Sequence, residues 1–266
     1  MQERSTWGMA DRDAERPNVA RLFDYFLGGA HNFAVDREFA ERSIKIFAVD
    51  EAARSARSFL QRAVRLCAAA GIRQFLDLGS GLPTAGNVHE VAERVDPACK
   101  VVYVDNDPAT VAHGRTMLRW SRTAAIVHGD VRDPDAVLNA PETARLLDLD
   151  QPVAVLMVGV LSYLSDEDRP ADVVAKYREA MAPGSHLVIS HLTADLEPDL
   201  MGKLADLAKF TGMILTPRGA AEVTELFTGF DLVEPGVVVT GEWREDGEYN
   251  GPESSLSYGA VGVKLP

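Results

Sequence analysis

The chain has 266 residues, enough for one large α/β domain or one domain with additions. Its hydrophobic share of 46 % and charged share of 25 % are those of a globular chain, and its formal net charge is −13. Without any cluster of Lys and Arg, neither a groove that tracks nucleic-acid phosphates nor an anionic membrane surface is an expected partner.

Cys67 and Cys99 stand alone and read as small buried apolar residues rather than a disulfide or a metal pair. No run of 18 apolar residues suggests a membrane span. The opening stretch MQERSTWGMADRDAERP lacks the apolar core of a secretory signal, which points to a cytoplasmic protein with a disordered tail over 1–16.

Three helices come next. The first starts at Pro17 or Asn18, carries Val19, Leu22, Phe23 and Phe26 on one face, and stops at Gly28-Gly29. The second runs from about Val35 to Phe47. The third takes Asp50 as its N-cap, places Phe59, Leu60, Val64 and Cys67 at helical spacing, and stops at Gly71. Residues 17–72 read as an N-terminal helical cap or lid, and 73–266 as the main domain.

From Arg73 onward strand and helix alternate. Strands are expected at Gln74–Leu78, Lys100–Val104, Ala124–Val127, Val153–Val158 and His186–Ser190. The helices between them are expected at Gly86–Val95, Pro108–Trp120, Pro134–Leu138 and Asp166–Met181. Further helices follow at about Pro198–Lys209 and Pro217–Leu226, then strands at Phe230–Val239 and Ser257–Val263 with no helix between them. The early strands are apolar runs without alternation, as when helices cover both faces. The reading is a Rossmann-like, doubly wound α/β fold whose seven-stranded sheet is mostly parallel and ends in an antiparallel hairpin.

The stretch FLDLGSGLPTAGNVHE, Phe75 to Glu90, is the most informative. It reads as a buried strand, a turn at Gly79-Ser80-Gly81, and a helix whose first N–H groups are free. The second strand runs into Asp105, 24 positions after Gly81 and close to the spacing at which a carboxylate reaches a ribose diol. A nicotinamide dinucleotide needs G-x-G-x-x-G, but Gly79-Ser80-Gly81-Leu82-Pro83-Thr84 lacks the third glycine. A phosphate loop needs Gly-Lys-Ser/Thr, and no Lys is present. A cofactor with ribose and adenine but no phosphate fits better, which is S-adenosyl-L-methionine. Gly129-Asp130-Val131 after strand three, Gly159 after strand four and the late hairpin agree with that choice.

Residues 73–263 resemble a class I S-adenosylmethionine-dependent methyltransferase domain. Within that superfamily, Arg21–Gly29 with Asn32-Phe33, and Asp77–Thr84 with Gly86–Glu90, are similar to a bacterial family of S-adenosyl methyltransferases, formerly a domain of unknown function. The chain departs from the wider superfamily at Leu82-Pro83, which replace the usual third small residue of the turn.

The resemblance implies roles. Gly79, Ser80 and Gly81 pass under the ribose and methionine parts. Asp77 orients the methionine amino group, and Asp105 accepts both ribose hydroxyls. Asn106 flanks the adenine, Asp130 accepts from its amino group, and the Val131 N–H meets a ring nitrogen. Gly159 and Leu161 line the path to the methyl group. Tyr25, His31 and Asn32 face the cofactor from a lid, unless that segment is a helix C-cap with a surface turn. His31, Tyr163 and His191 are the candidate general bases, the last two just past strands four and five. His89 and His113 read as surface residues, and no spacing suggests a metal. The expected activity is methyl transfer to a small cationic or neutral acceptor. A cofactor-binding regulator without turnover and a nicotinamide-dependent redox enzyme remain as alternatives.

Overall fold

The computed structural model describes residues 16–46, 48–83, 86–210, 213–246 and 256–266. The expected tail, apart from Arg16, lies outside the described residues.

Five parallel strands form the body of one sheet: β1 (Gln74–Leu78), β2 (Lys100–Asp105), β3 (Ala124–His128), β4 (Ala154–Val158) and β5 (His186–Leu192). The late strands β6 (Phe230–Leu232), β7 (Val238–Val239) and β8 (Ser257–Lys264) complete it. The strand order is β3-β2-β1-β4-β5-β8-β6, with β7 also on β8 and β8 antiparallel to its neighbours. The chain reverses direction across the sheet between β1 and β4, which opens a crevice at their carboxyl ends.

Alternate strand residues feed two cores. Leu76, Val102, Val155 and Leu187 face one layer, and Phe75, Val101, Ala154 and Val188 the other. The second layer holds α3 (Val49–Ala69), α4 (Val88–Val95) and α5 (Pro108–Met117). The first holds α6 (Pro134–Leu138), α7 (Pro141–Leu146), α8 (Pro170–Ala180) and, after α9 (Pro198–Phe210), α10 (Ala220–Glu225). Phe59, Leu60, Val64 and Cys67 of α3 are buried among sheet side chains, so α3 belongs to the sheet's own helical layer. Above it sit α1 (Val19–Phe26) and α2 (Ala34–Ile46), with α9 against α2. A buried ion pair joins α1 to α2. Arg21 Nε donates to Asp36 Oδ2 at 2.6 Å, and the same carboxylate accepts from the backbone N–H groups of Asn18 and Phe33. No helix among the described residues is long and apolar enough to cross a membrane.

Several boundaries differ from the sequence reading. Ala48, not Asp50, is the N-cap of α3, and Asp50 sits in the first turn, where its charge still favours the helix N-terminus. The expected helix Asp166–Met181 is broken, because Pro170 disfavours helical backbone at Arg169. Arg169 takes φ 49°, separating a short 3₁₀ turn (Asp166–Asp168) from α8. The expected strand Phe230–Val239 is split by a turn in which Gly236 N–H donates to Val233 O, giving β6 and β7. Pairing with β8 carries β5 on to Leu192, so His191 lies inside the strand, opposite Tyr258.

Candidate active site

A cavity of about 410 Å³ lies at the carboxyl ends of β1 to β4, roofed by α1. Its wall contains Asp77, Gly79, Ser80, Gly81, Asp105, Asn106, Asp130, Val131, Gly159 and Tyr163 from the expected set. Gly79, at φ 69°, receives the chain from β1, and a Cβ there would stand 2.3 Å from Val160 Cγ2. The space that glycine leaves is therefore taken by a protein side chain rather than kept for a ligand. At Gly159, φ 81°, a Cβ would meet nothing within 4 Å.

Asp105 closes the turn. Its Oδ2 accepts from Gly81 N at 2.8 Å and its Oδ1 from Asp107 N at 2.9 Å, so each oxygen keeps a further acceptor site. Burial raises its pKa against the backbone bonds from Asp107, Gly81 and Asn106. Asp107, not Asp105, caps α5, accepting from Thr110 N at 2.7 Å. Asp130 is clasped by Arg132, whose Nε and Nη2 donate at 3.0 and 2.6 Å; these bonds hold its carboxyl below the usual range.

Arg57, absent from the expected set, lines the cavity from α3. Neither the Arg57 guanidinium nor the Asp77 carboxylate has a hydrogen-bond partner among the described residues. Burial lowers the pKa of Arg57 against the pull of Asp77. Burial pushes Asp77 up to about 7, with Arg57 opposing the rise and Asp105 adding to it. Arg57 was findable: it lies three and seven residues before Leu60 and Val64, on the buried face of its helix.

Other expected residues stand elsewhere. Val19, Ala20, Phe23, Asp24 and Leu27 are the face of the first helix and its cap that lines the cavity; Tyr25, His31 and Asn32 are not in the wall. Asn32 Nδ2 and His31 N donate to Asp24 Oδ2 at 3.0 and 2.7 Å, and a Cβ on Gly29 would stand 2.1 Å from Asp24 Oδ1. The Gly-Gly-Ala-His-Asn loop thus wraps a buried carboxylate. The His31 ring lies 4.5 Å from that of His113, which is half-buried rather than on the surface. His89 is also half-buried, its Nδ1 2.7 Å from Tyr103 Oη. Leu161 is fully buried in the core, and Val160 takes its place in the wall. His191 is also out of reach: Arg218 Nη1 donates to its Nε2 at 3.0 Å, and its Nδ1 donates to Leu192 O at 2.8 Å. Burial pulls its pKa down to about 4, leaving a neutral structural imidazole.

A second chamber of about 130 Å³ adjoins the first beneath α1, α2 and α9. Phe23, Ala56, Gly159, Tyr163 and Met213 belong to both walls. Burial pushes the Tyr163 phenol up to about 12.

Residues 5–265 match the family model described as S-adenosyl methyltransferase. The chain belongs to that family. The S-adenosyl methyltransferase is 41 % identical to a provisionally named methyltransferase from Thermobifida fusca YX, with a TM-score of 0.90 over 98 % of this chain and 100 % of that one. It is 36 % identical to a DUF574 family protein from Streptomyces avermitilis MA-4680, with a TM-score of 0.90 over 95 % and 99 % of the two chains. Human N-acetylserotonin methyltransferase in complex with S-adenosylmethionine shares the fold at 18 % identity and a TM-score of 0.52, over 98 % of this chain and 66 % of that one. No curated protein matches. The protein is an S-adenosylmethionine-dependent methyltransferase with a Rossmann-like fold.

Proposed function

We propose that this methyltransferase acts in the cytoplasm on a small-molecule acceptor, not on nucleic acid. The observation that carries the reading is the pair Asp77 and Arg57. Two opposite charges line one cavity without hydrogen-bond partners among the described residues, and they complement the ammonium and carboxylate of an amino acid. The free acceptor sites of Asp105 fit a ribose diol, and Asn106, Asp130 and the Val131 N–H fit an adenine edge. A dinucleotide would bring a diphosphate to a wall already holding Asp77, Asp105 and Asp130, and like charges repel.

Bound S-adenosylmethionine supplies a methyl group on a positively charged sulfur. The chain's own work is then placement. Asp77 and Arg57 fix the amino-acid end, Asp105 fixes the sugar, and Val160 keeps the Gly79 turn in shape. Tyr163 stays protonated at neutral pH and serves as a hydrogen-bonding group rather than a base. The second chamber, open beside Gly159, supports turnover over silent binding of the cofactor. Cys67 and Cys99, buried and unpaired, accord with a reducing compartment.

Calorimetry tests this. Arg57→Leu should weaken S-adenosylhomocysteine by about 10- to 100-fold, the worth of a hydrogen bond to a charged group, and leave adenosine affinity unchanged. Equal loss for both ligands, or none for either, would refute the assignment. Release of labelled methyl from S-adenosylmethionine into a panel of small alcohols, phenols and amines should follow, and transfer to oligonucleotides should not.

A further inference from the structure

The two adjoining spaces differ in chemistry. The larger presents Arg57, Asp77, Asp105 and Asp130. Among the described residues of the smaller chamber there is no charged side chain. Its polar side chains are Ser43, Tyr163, Ser190 and Ser257, and the Ser43 hydroxyl is spent on Phe39 O at 3.0 Å. The rest is aliphatic and aromatic, from Leu22 and Phe39 to Ala53 and Leu204. A charged guest would leave water for a wall that cannot pair it, which is costly. Size adds a second restriction. An engineered apolar cavity of about 150 Å³ takes up benzene, so a volume of about 130 Å³ suits a single ring. Tyr163, whose hydroxyl has no hydrogen-bond partner among the described residues, stands where the two spaces meet, beside Gly159.

We infer that this chamber is the acceptor site, and that the acceptor is an uncharged, one-ring molecule whose hydroxyl points to the Tyr163–Gly159 junction. This rests on the methyltransferase reading above. The acceptor oxygen forms a bond to the methyl carbon as the carbon–sulfur bond breaks. The electron pair of that bond stays on sulfur, and the hydroxyl proton passes to water. Tyr163 orients the oxygen by a hydrogen bond. The protein's net charge of −13 draws cations to its surface, but the chamber itself selects against them.

The test uses phenol, benzoate and benzylammonium as probes, titrated by ligand-observed NMR into the full-length protein with and without saturating S-adenosylhomocysteine. Phenol should bind about tenfold or more tighter than either ion, since desolvating an unpaired charge costs at least that much. Ala53→Leu adds carbons to a wall that belongs to the chamber alone, and Leu204→Phe does so from α9. Each should weaken phenol at least tenfold while S-adenosylhomocysteine affinity, read by calorimetry, stays at the wild-type value. The inference is overturned if either ion matches phenol, if phenol fails to bind, or if phenol affinity survives in a variant that holds S-adenosylhomocysteine normally. If the wild type binds phenol as expected but not S-adenosylhomocysteine, the cofactor reading fails and takes the acceptor role with it, leaving the chamber only as a site for an uncharged ring.

Discussion

Asp77 should couple the stability of the ligand-free fold to pH through its proton. Its ordinary pKa is near 3.8, and burial raises it to about 7 in the folded chain. A carboxyl raised in this way stabilises fully below its unfolded pKa and loses that contribution as pH climbs through the folded one. Each unit of difference is worth about 1.36 kcal/mol, so between pH 5 and pH 8 the ligand-free protein should lose about 2–3 kcal/mol from this group alone. Asp77→Asn removes the titration. It also removes the nearest anion from Arg57, leaving Glu90, but that offset does not vary over this range of pH. The quantity to read is therefore the stability of Asp77→Asn minus that of the wild type, from urea unfolding at both pH values. It should rise by about 2–3 kcal/mol, or about 5–10 °C in Tm for a chain of this size. Carboxylates remote from Asp77 cancel in the difference; Asp105, which is coupled to it, contributes a smaller part. Parallel stability curves would refute the reasoning, because they would mean that Asp77 is ionised at pH 5 as it is at pH 8.

Other outcomes are expected from the same geometry. Gly79→Ala should cost about 2–4 kcal/mol, from a clash with Val160 and from φ 69°, and Val160→Ala in the same chain should recover the clash part, measured by a double-mutant cycle. Asp36→Ala should cost about 3–5 kcal/mol by removing the counter-charge of the buried Arg21 guanidinium. Faster hydrogen exchange across α1 and α2, with the β2 amides unchanged, would place that loss in the cap. Asp105→Ala should lower adenosine affinity at least tenfold, since it removes the ribose acceptor and frees the Gly81 N–H; unchanged affinity in calorimetry would count against the sugar site.

Local signals carried the parts of the site that could be read in advance. The strand, the Gly79-Ser80-Gly81 turn and the spacing to Asp105 lie within one βαβ unit, where chain direction and short loops leave little freedom. The mostly parallel, doubly wound character of the sheet followed from apolar runs and intervening helices; its strand order did not. What escaped depended on phase or on distant partners. The 3₁₀ turn after Gly159 rotates Leu161 into the core and Val160 to the wall, a change of period that no strand pattern announces. His, Asn and two glycines after α1 looked like a cofactor loop, yet they surround Asp24. His191 invited a catalytic role until Arg218, 27 residues on, filled its remaining nitrogen. The sequence division at residue 72 carries no sign that α3 packs on the sheet while its first turns meet the cavities, because both contacts are made with distant parts of the chain.

That last arrangement sets a length scale. Helix α3 is anchored at one end by Phe59, Val64 and Cys67 in the deepest core. At the other end it offers Arg57 to one compartment and, one turn earlier, Ala53 to the next. With about 1.5 Å of rise per residue, the span between these two positions is a fixed ruler of about 6 Å. On the proposed assignment of the two compartments, donor and acceptor are gauged against the same rigid rod, so their separation is inherited from the interior and does not wait on a loop to close.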